Sequence, residues 1–131
     1  MLMRVAAAVA VCLGLVASAE AQGLREKAEL KVRELTAQIE EHSHAAKLRS
    51  AEGTQAMRAN DAAGACTGFK AGRAEAQTVL DLLTQQREQV MIASEDAAAA
   101  VGRANKIDEM SGTWLGLASQ LDARIRAVCG E

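Results

Sequence analysis

The feature that most restricts the fold of this chain is a spacing of residues at alternating intervals of three and four. This spacing gathers residues on one face of a helix with 3.6 residues per turn. The first stretch that shows it covers residues 24–58. Its repeating positions are Ala28, Val32, Leu35, Ile39, His42 and Ala46. Several such heptads in succession predict long helices that pack along narrow seams, as in a coiled coil.

The same spacing recurs in two further stretches. In the second stretch the repeating positions are Cys66, Phe69, Arg73, Ala76, Leu80, Leu83, Arg87 and Val90. In the third stretch they are Ile107, Met110, Trp114, Leu117, Leu121, Arg124 and Val128. The chain has no proline or tyrosine and only one phenylalanine and one tryptophan, so residues that favour strands are sparse. The periodicity and the abundance of strong helix formers together predict an all-α fold.

The N-terminal segment has the features of a secretory signal peptide. Arg4 precedes an apolar run at residues 5–16, and small residues then allow cleavage after Ala19 or Ala21. The run is shorter than the roughly 20 residues that a membrane-spanning helix needs. We therefore predict that residues 1–21 are removed on export. The mature protein is expected to be periplasmic or secreted, without stable membrane insertion.

Short polar segments between the stretches predict where the helices end. Either Asn60 or Asp61 is suited to cap the N-terminus of the second helix. Ser94 is followed by two acidic residues and therefore resembles the N-cap of a third helix. Gly102 is the alternative break.

Cys66 and Cys129 are the two cysteines that remain after removal of the signal peptide. In an exported protein two such cysteines predict a disulfide. Bonded cysteines have Cα atoms within about 7 Å, so the turn of an antiparallel hairpin would lie midway between them. That position favours a turn at Ser94 over one at Gly102. The Cys-x-x-Cys spacing of redox and haem-attachment sites is absent.

These boundaries predict helices at about 24–58, 62–93 and 96–128. We predict an elongated antiparallel three-helix bundle with coiled-coil-like packing, which forms a single domain over residues 22–131. A helical hairpin that dimerises is the alternative arrangement.

The two histidines, His42 and His44, are weak candidates for metal ligands. Residues two apart on a helix project in different directions, so these rings do not share a face. Haem held between His42 and a methionine is the cofactor-binding alternative. The methionines in question are Met57, Met91 and Met110.

Glycines at a spacing of four mark one face of the second helix. These residues are Gly64, Gly68 and Gly72. Each costs about 1 kcal/mol of helix stability relative to alanine, so we predict that another helix packs closely against this face. The alternative is that the start of the second helix is irregular.

Three arginines occupy seam positions, namely Arg73, Arg87 and Arg124. Their stems can cover apolar surface while the guanidinium groups reach solvent. The alternative is that they line a cleft for an anionic ligand, and the sequence leaves both interpretations open.

No catalytic residues are predicted, because no serine–histidine–acid set can be placed on one face and no phosphate-binding loop is present. No cofactor is predicted either. The net charge of −2 is too small to indicate a nucleic-acid partner. We expect an exported, non-enzymatic protein that binds another protein or self-associates in the cell envelope. A metal-binding or haem-binding periplasmic bundle is the alternative.

Overall fold

A computed structural model describes the backbone of residues 2–130 and the side chains of residues 18–130. It contains α1 (Leu2–Arg58), α2 (Ala62–Ala93) and α3 (Ala97–Cys129). Short turns connect them, so α2 runs antiparallel to both of the other helices. At a rise of 1.5 Å per residue, α2 and α3 are each about 50 Å long. The prediction of an all-α three-helix bundle is confirmed.

The N-terminal boundary of α1 differs from the predicted residue 24. The helix is already continuous through residues 18–23, because alanine, glutamate and glutamine there are strong helix formers. The apolar run at 5–16, on which the predicted signal peptide depends, lies outside the residues whose side chains are described. Among the described residues, no helix has both the length and the apolar character needed to cross a membrane.

Asp61, one of the two predicted caps, is the N-cap of α2 and lies in the turn between α1 and α2. Its carboxylate accepts a hydrogen bond of 2.9 Å from the backbone N–H of Gly64. The neighbouring Asn60 instead takes a left-handed conformation with φ of 59°, which asparagine tolerates better than most residues. The chain therefore reverses direction over three residues.

The second turn lies at residues 94–96, so Gly102 is not a break and sits inside α3. The prediction that Ser94 caps the third helix is wrong, because Ser94 ends α2. Both its backbone N–H and its hydroxyl donate to the carbonyl of Val90. Asp96 caps α3 instead, and accepts 2.8 Å from the N–H of Ala99.

The core forms two clusters along the bundle. The first holds Val32, Leu35, Ile39, Val79, Leu82, Leu83, Val90 and Ile107. The second holds Ala65, Phe69, Ala76 and Leu121. Trp114 is partly buried and packs against both clusters, so it links the two ends of the core.

The predicted seam of α1 is confirmed, because five of its six positions are buried and His42 is half-buried. The seam of α3 is only partly right. Met110 is 43% exposed and Arg124 is also exposed. The buried stripe runs instead through Ala104 and Ala118, with Ile125 partly buried. Small side chains there let α3 approach α2, and the large residues Ile107 and Leu121 are buried in the same stripe.

The second helix buries a broader stripe than the predicted one, because it packs against both neighbours. Arg87 is exposed and Leu80 is half-buried, although both occupy predicted seam positions. Val79 and Gln86 are buried in addition. The Gln86 amide donates 2.8 Å to the hydroxyl of Thr36 on α1, which satisfies a polar group inside the core.

The backbones of α1 and α3 approach each other much less than either approaches α2. Long side chains bridge them instead. Arg103 binds both carboxylate oxygens of Glu29, at 2.9 and 3.0 Å. Nearer the other end, Arg124 donates 3.3 Å to the hydroxyl of Thr54. Helix α2 is therefore the central element that holds the bundle together.

Candidate functional site

Two glycines of α2 lie where α1 packs closely against it. A Cβ added at Gly68 would lie 2.6 Å from both Cα and N of Gly53, which leaves no room for a side chain. A Cβ at Gly72 would lie 2.5 Å from the hydroxyl oxygen of Ser50 and 3.3 Å from the carbonyl oxygen of Ala46. The predicted close-packing role therefore holds for Gly68 and Gly72.

Gly64 has a different role from the other two. The nearest atoms to a Cβ at this position belong to the carboxylate of Asp61, the residue that caps the helix. The glycine thus leaves space for the cap. A further close-packing glycine, Gly53, is revealed only by the packing, since its backbone and the ring of Phe69 leave no space between them.

Cys66 and Cys129 meet at one end of the bundle, with Cα atoms 5.2 Å apart and their sulfurs bonded. This geometry supports the predicted disulfide, which joins the second turn of α2 to the end of α3. The guanidinium of Arg124 lies 5.5 Å from the centre of the Phe69 ring. The two cysteines therefore lie among packed side chains at this end of the bundle.

The two histidines have different surroundings. His42 is half-buried, and its Nδ1 lies 2.6 Å from a carboxylate oxygen of Glu75 on α2. His44 is exposed. Across the described residues, no group of three or more His, Cys, Asp or Glu side chains has the geometry to hold a metal ion. The structure therefore does not bring the weak metal-ligand candidates together.

The arginines at the predicted seam positions reach acidic or hydroxyl groups on neighbouring helices. Arg73 pairs with Asp122 at 3.0 Å and Arg87 pairs with Asp108 at 2.9 Å, both between α2 and α3. Arg124 reaches α1, as described above. These contacts occupy the guanidinium groups, so the geometry does not favour an anion-binding cleft.

Surface concavities lie in the open furrows between adjacent helices. One of about 630 Å³ lies between α1 and α2 and includes Arg49, Glu52 and Thr67 in its lining. Another of about 250 Å³ lies beside Gln86 and Ile107. Neither furrow places a nucleophile beside a histidine base.

Residues 110–121 of α3 form the most unusual part of the surface. This run, MSGTWLGLASQL, has twelve residues and no charge. A helix in water normally carries charged residues on its solvent face. Within the run Leu115 is 58% exposed, and added Cβ atoms at Gly112 and Gly116 would meet no described atom within 4 Å. The sequence-based seam assignment missed this surface, because it followed only the large apolar residues.

Comparison with known proteins finds no match: no family model, no curated protein and no solved structure is significantly similar to this chain.

Proposed function

We propose that this chain is an exported, non-enzymatic helical protein that acts by binding another protein or a second copy of itself. The observation that carries the proposal is the uncharged run at residues 110–121, which lies partly on the solvent face of α3. Exposed apolar and small residues without interspersed charge are suited to packing against another helix. The proposal places the protein in the periplasm or outside the cell.

Two further observations support a binding role. The arginines at seam positions are occupied by contacts within the bundle, and the furrows between helices are open. Neither these contacts nor the two furrows form an enclosed pocket for a small substrate. Long helical faces, by contrast, offer an extended surface to a macromolecular partner.

Export is tested by the mass of the protein recovered from the periplasm or the medium. We expect a chain that begins at Glu20 or Gln22 and lacks the two thiol hydrogens of Cys66 and Cys129. Alkylation without prior reduction should leave both cysteines unmodified. Recovery of the full-length chain from the cytoplasm, with Cys66 and Cys129 both as free thiols, would contradict the proposal.

Binding is tested by a photo-cross-linking residue placed at position 116 in the full chain in cells, with the same residue at position 34 as the matched control. Glu34 is exposed on the outer side of α1 among other charged residues. We expect a discrete cross-linked species from position 116 and none from position 34. Equal labelling from both positions, or none from either, would contradict a binding role for α3.

The metal-binding or haem-binding alternative is separated by a visible absorption spectrum and metal analysis of the exported protein. A haem band or stoichiometric metal that is lost in His42→Ala and His44→Ala would overturn the proposed function. We expect neither.

A further inference from the structure

The contacts of α3 divide its circumference into three sectors. Asp108 and Asp122 bind arginines of α2, and Arg103 and Arg124 reach α1. The sector that remains faces solvent. We define the outer α3 face as Val101, Asn105, Gly112, Gly116, Ser119 and Ala123, all of which are exposed.

This face differs from the solvent face of α1 in its charge. None of its six residues is charged, and Glu109 lies at one border of it. The outer side of α1 carries exposed charges throughout. They are Glu26, Arg33, Glu34, Glu40, Glu41 and Lys47. Charged solvent faces keep surface helices from associating, and the outer α3 face lacks this protection over most of its length.

The glycines on this face are not explained by packing against any of the described residues. Gly112 and Gly116 are four residues apart, as Gly68 and Gly72 are on α2. The α2 pair makes room for the backbone of α1, whereas added Cβ atoms at the α3 pair would meet no described atom within 4 Å. Each glycine inside a helix costs about 1 kcal/mol relative to alanine. The approach of another helix would account for that cost.

Charges at the second border of the face indicate which helix approaches. Asp108 and Arg126 are 18 residues apart, which is five complete helical turns, so they lie on the same side of α3. Arg126 makes no ion pair with any described residue, and Asp108 is half exposed beside Arg87. An antiparallel copy of α3 centred near residue 117 would place each Arg126 beside the Asp108 of the other chain.

We propose that the outer α3 face pairs with the same face of a second copy, in an antiparallel and two-fold symmetric arrangement. A two-fold interface must be self-complementary, and here the opposite charges and the uncharged centre meet that condition without a second sequence. In this register Leu115 of one chain lies level with Ser119 of the other, so a large side chain meets a small one. The inference rests on the proposed function and names the partner as a copy of this chain.

The test is sedimentation equilibrium of the purified exported protein over a range of concentrations. We expect a wild-type dimer and a dissociation constant raised about a hundredfold or more by Gly116→Lys, because like charges then face each other across the two-fold axis. The matched control is Gly102→Lys. Gly102 also has no described neighbour within 4 Å of an added Cβ, but it lies about 100° around the helix from Val101 and outside the outer α3 face, so this variant should leave the dimer intact. Lysine favours a helix more than glycine, so both variants should fold, which circular dichroism checks.

Charge reversal tests the register. Arg126→Asp should weaken the dimer, because it places an aspartate beside the Asp108 of the other copy and leaves the Asp108–Arg87 ion pair within each chain in place. A wild-type protein that remains monomeric would overturn the inference, although a specific cross-link to a different protein from position 116 would still support the proposed function. A dimer that survives Gly116→Lys, or one that Arg126→Asp does not weaken, would also overturn the inference.

Discussion

At the scale of single residues, a close contact between α1 and α2 is made by two glycines. Gly53 of α1 and Gly68 of α2 lie opposite each other, and the ring of Phe69 covers Gly53. Because neither residue has a side chain, the two backbones approach each other directly. The large ring beside them fills the remaining space and is fully buried. Small and large residues are thus paired at this point, as close packing in a protein interior requires.

We expect Gly68→Ala to lower the free energy of unfolding by about 1–2 kcal/mol. Overpacking a close contact costs about 1–3 kcal/mol, and the better helix propensity of alanine offsets only part of this cost. Urea denaturation followed by circular dichroism measures the change.

Gly102→Ala is the matched control for that variant. Its added Cβ would meet no described atom within 4 Å, so we expect stability to rise by up to about 1 kcal/mol through helix propensity. Opposite signs for the two variants would establish close packing at Gly68. A stabilising effect at both positions would contradict it.

At the scale of helices, the two turns use the same device. An aspartate at the N-cap accepts a hydrogen bond from the backbone three residues further along, Asp61 from Gly64 and Asp96 from Ala99. A carboxylate at this position satisfies a free N–H and interacts favourably with the helix dipole. In the second turn Ser94 supports the end of α2 and not the start of α3.

Because of this division of roles, we expect Asp96→Ala to lower the free energy of unfolding more than Ser94→Ala does. Loss of an N-cap costs about 0.5–2 kcal/mol, whereas the Ser94 backbone N–H keeps its bond to Val90 after the hydroxyl is removed. The unfolding free energies of the two variants in urea provide the comparison. A larger loss for Ser94→Ala would show that Ser94 is the cap.

At the scale of the whole molecule, α3 contacts α2 much more extensively than it contacts α1. It packs along α2, whereas α1 reaches it chiefly through bridging side chains. The Cys66–Cys129 bond adds a covalent link between α2 and α3 at the end of the bundle. The position of α3 therefore depends on α2 and on this bond.

We expect the Cys66→Ser and Cys129→Ser double variant to lose about 4 kcal/mol of stability, because the bond spans a sequence separation of 63 residues and restricts the unfolded chain. The measurement is urea denaturation of the oxidised protein and of the variant. Wild-type protein that has been unfolded, reduced and refolded should match the variant. Equal stability of the oxidised and reduced forms would contradict a stabilising disulfide.

The sequence predicted α2 and α3 to within about one residue at each end, because both turns carry polar capping residues and both helices keep a regular period. It also predicted that Gly68 and Gly72 face a neighbouring helix. Assignment of the Ser94 cap failed because Ser94, Glu95 and Asp96 are adjacent, and capping depends on backbone angles that a sequence pattern does not contain. The seam of α3 was only partly predicted. The assignment followed large apolar residues, so it included Met110, which is exposed, and omitted Ala118, which is buried.

By itself, the sequence determined the helical class, the number of packed helices, the lengths of α2 and α3, and the pairing of Cys66 with Cys129 as a hypothesis. These depend on local propensity and on periodicity along one chain. Only the tertiary structure decided that Gly53 lies against Gly68, that Arg103 reaches Glu29, and that the glycines of α3 face solvent. Such contacts depend on how the helices are rotated about their own axes, and that rotation is fixed by the joint packing of all three helices.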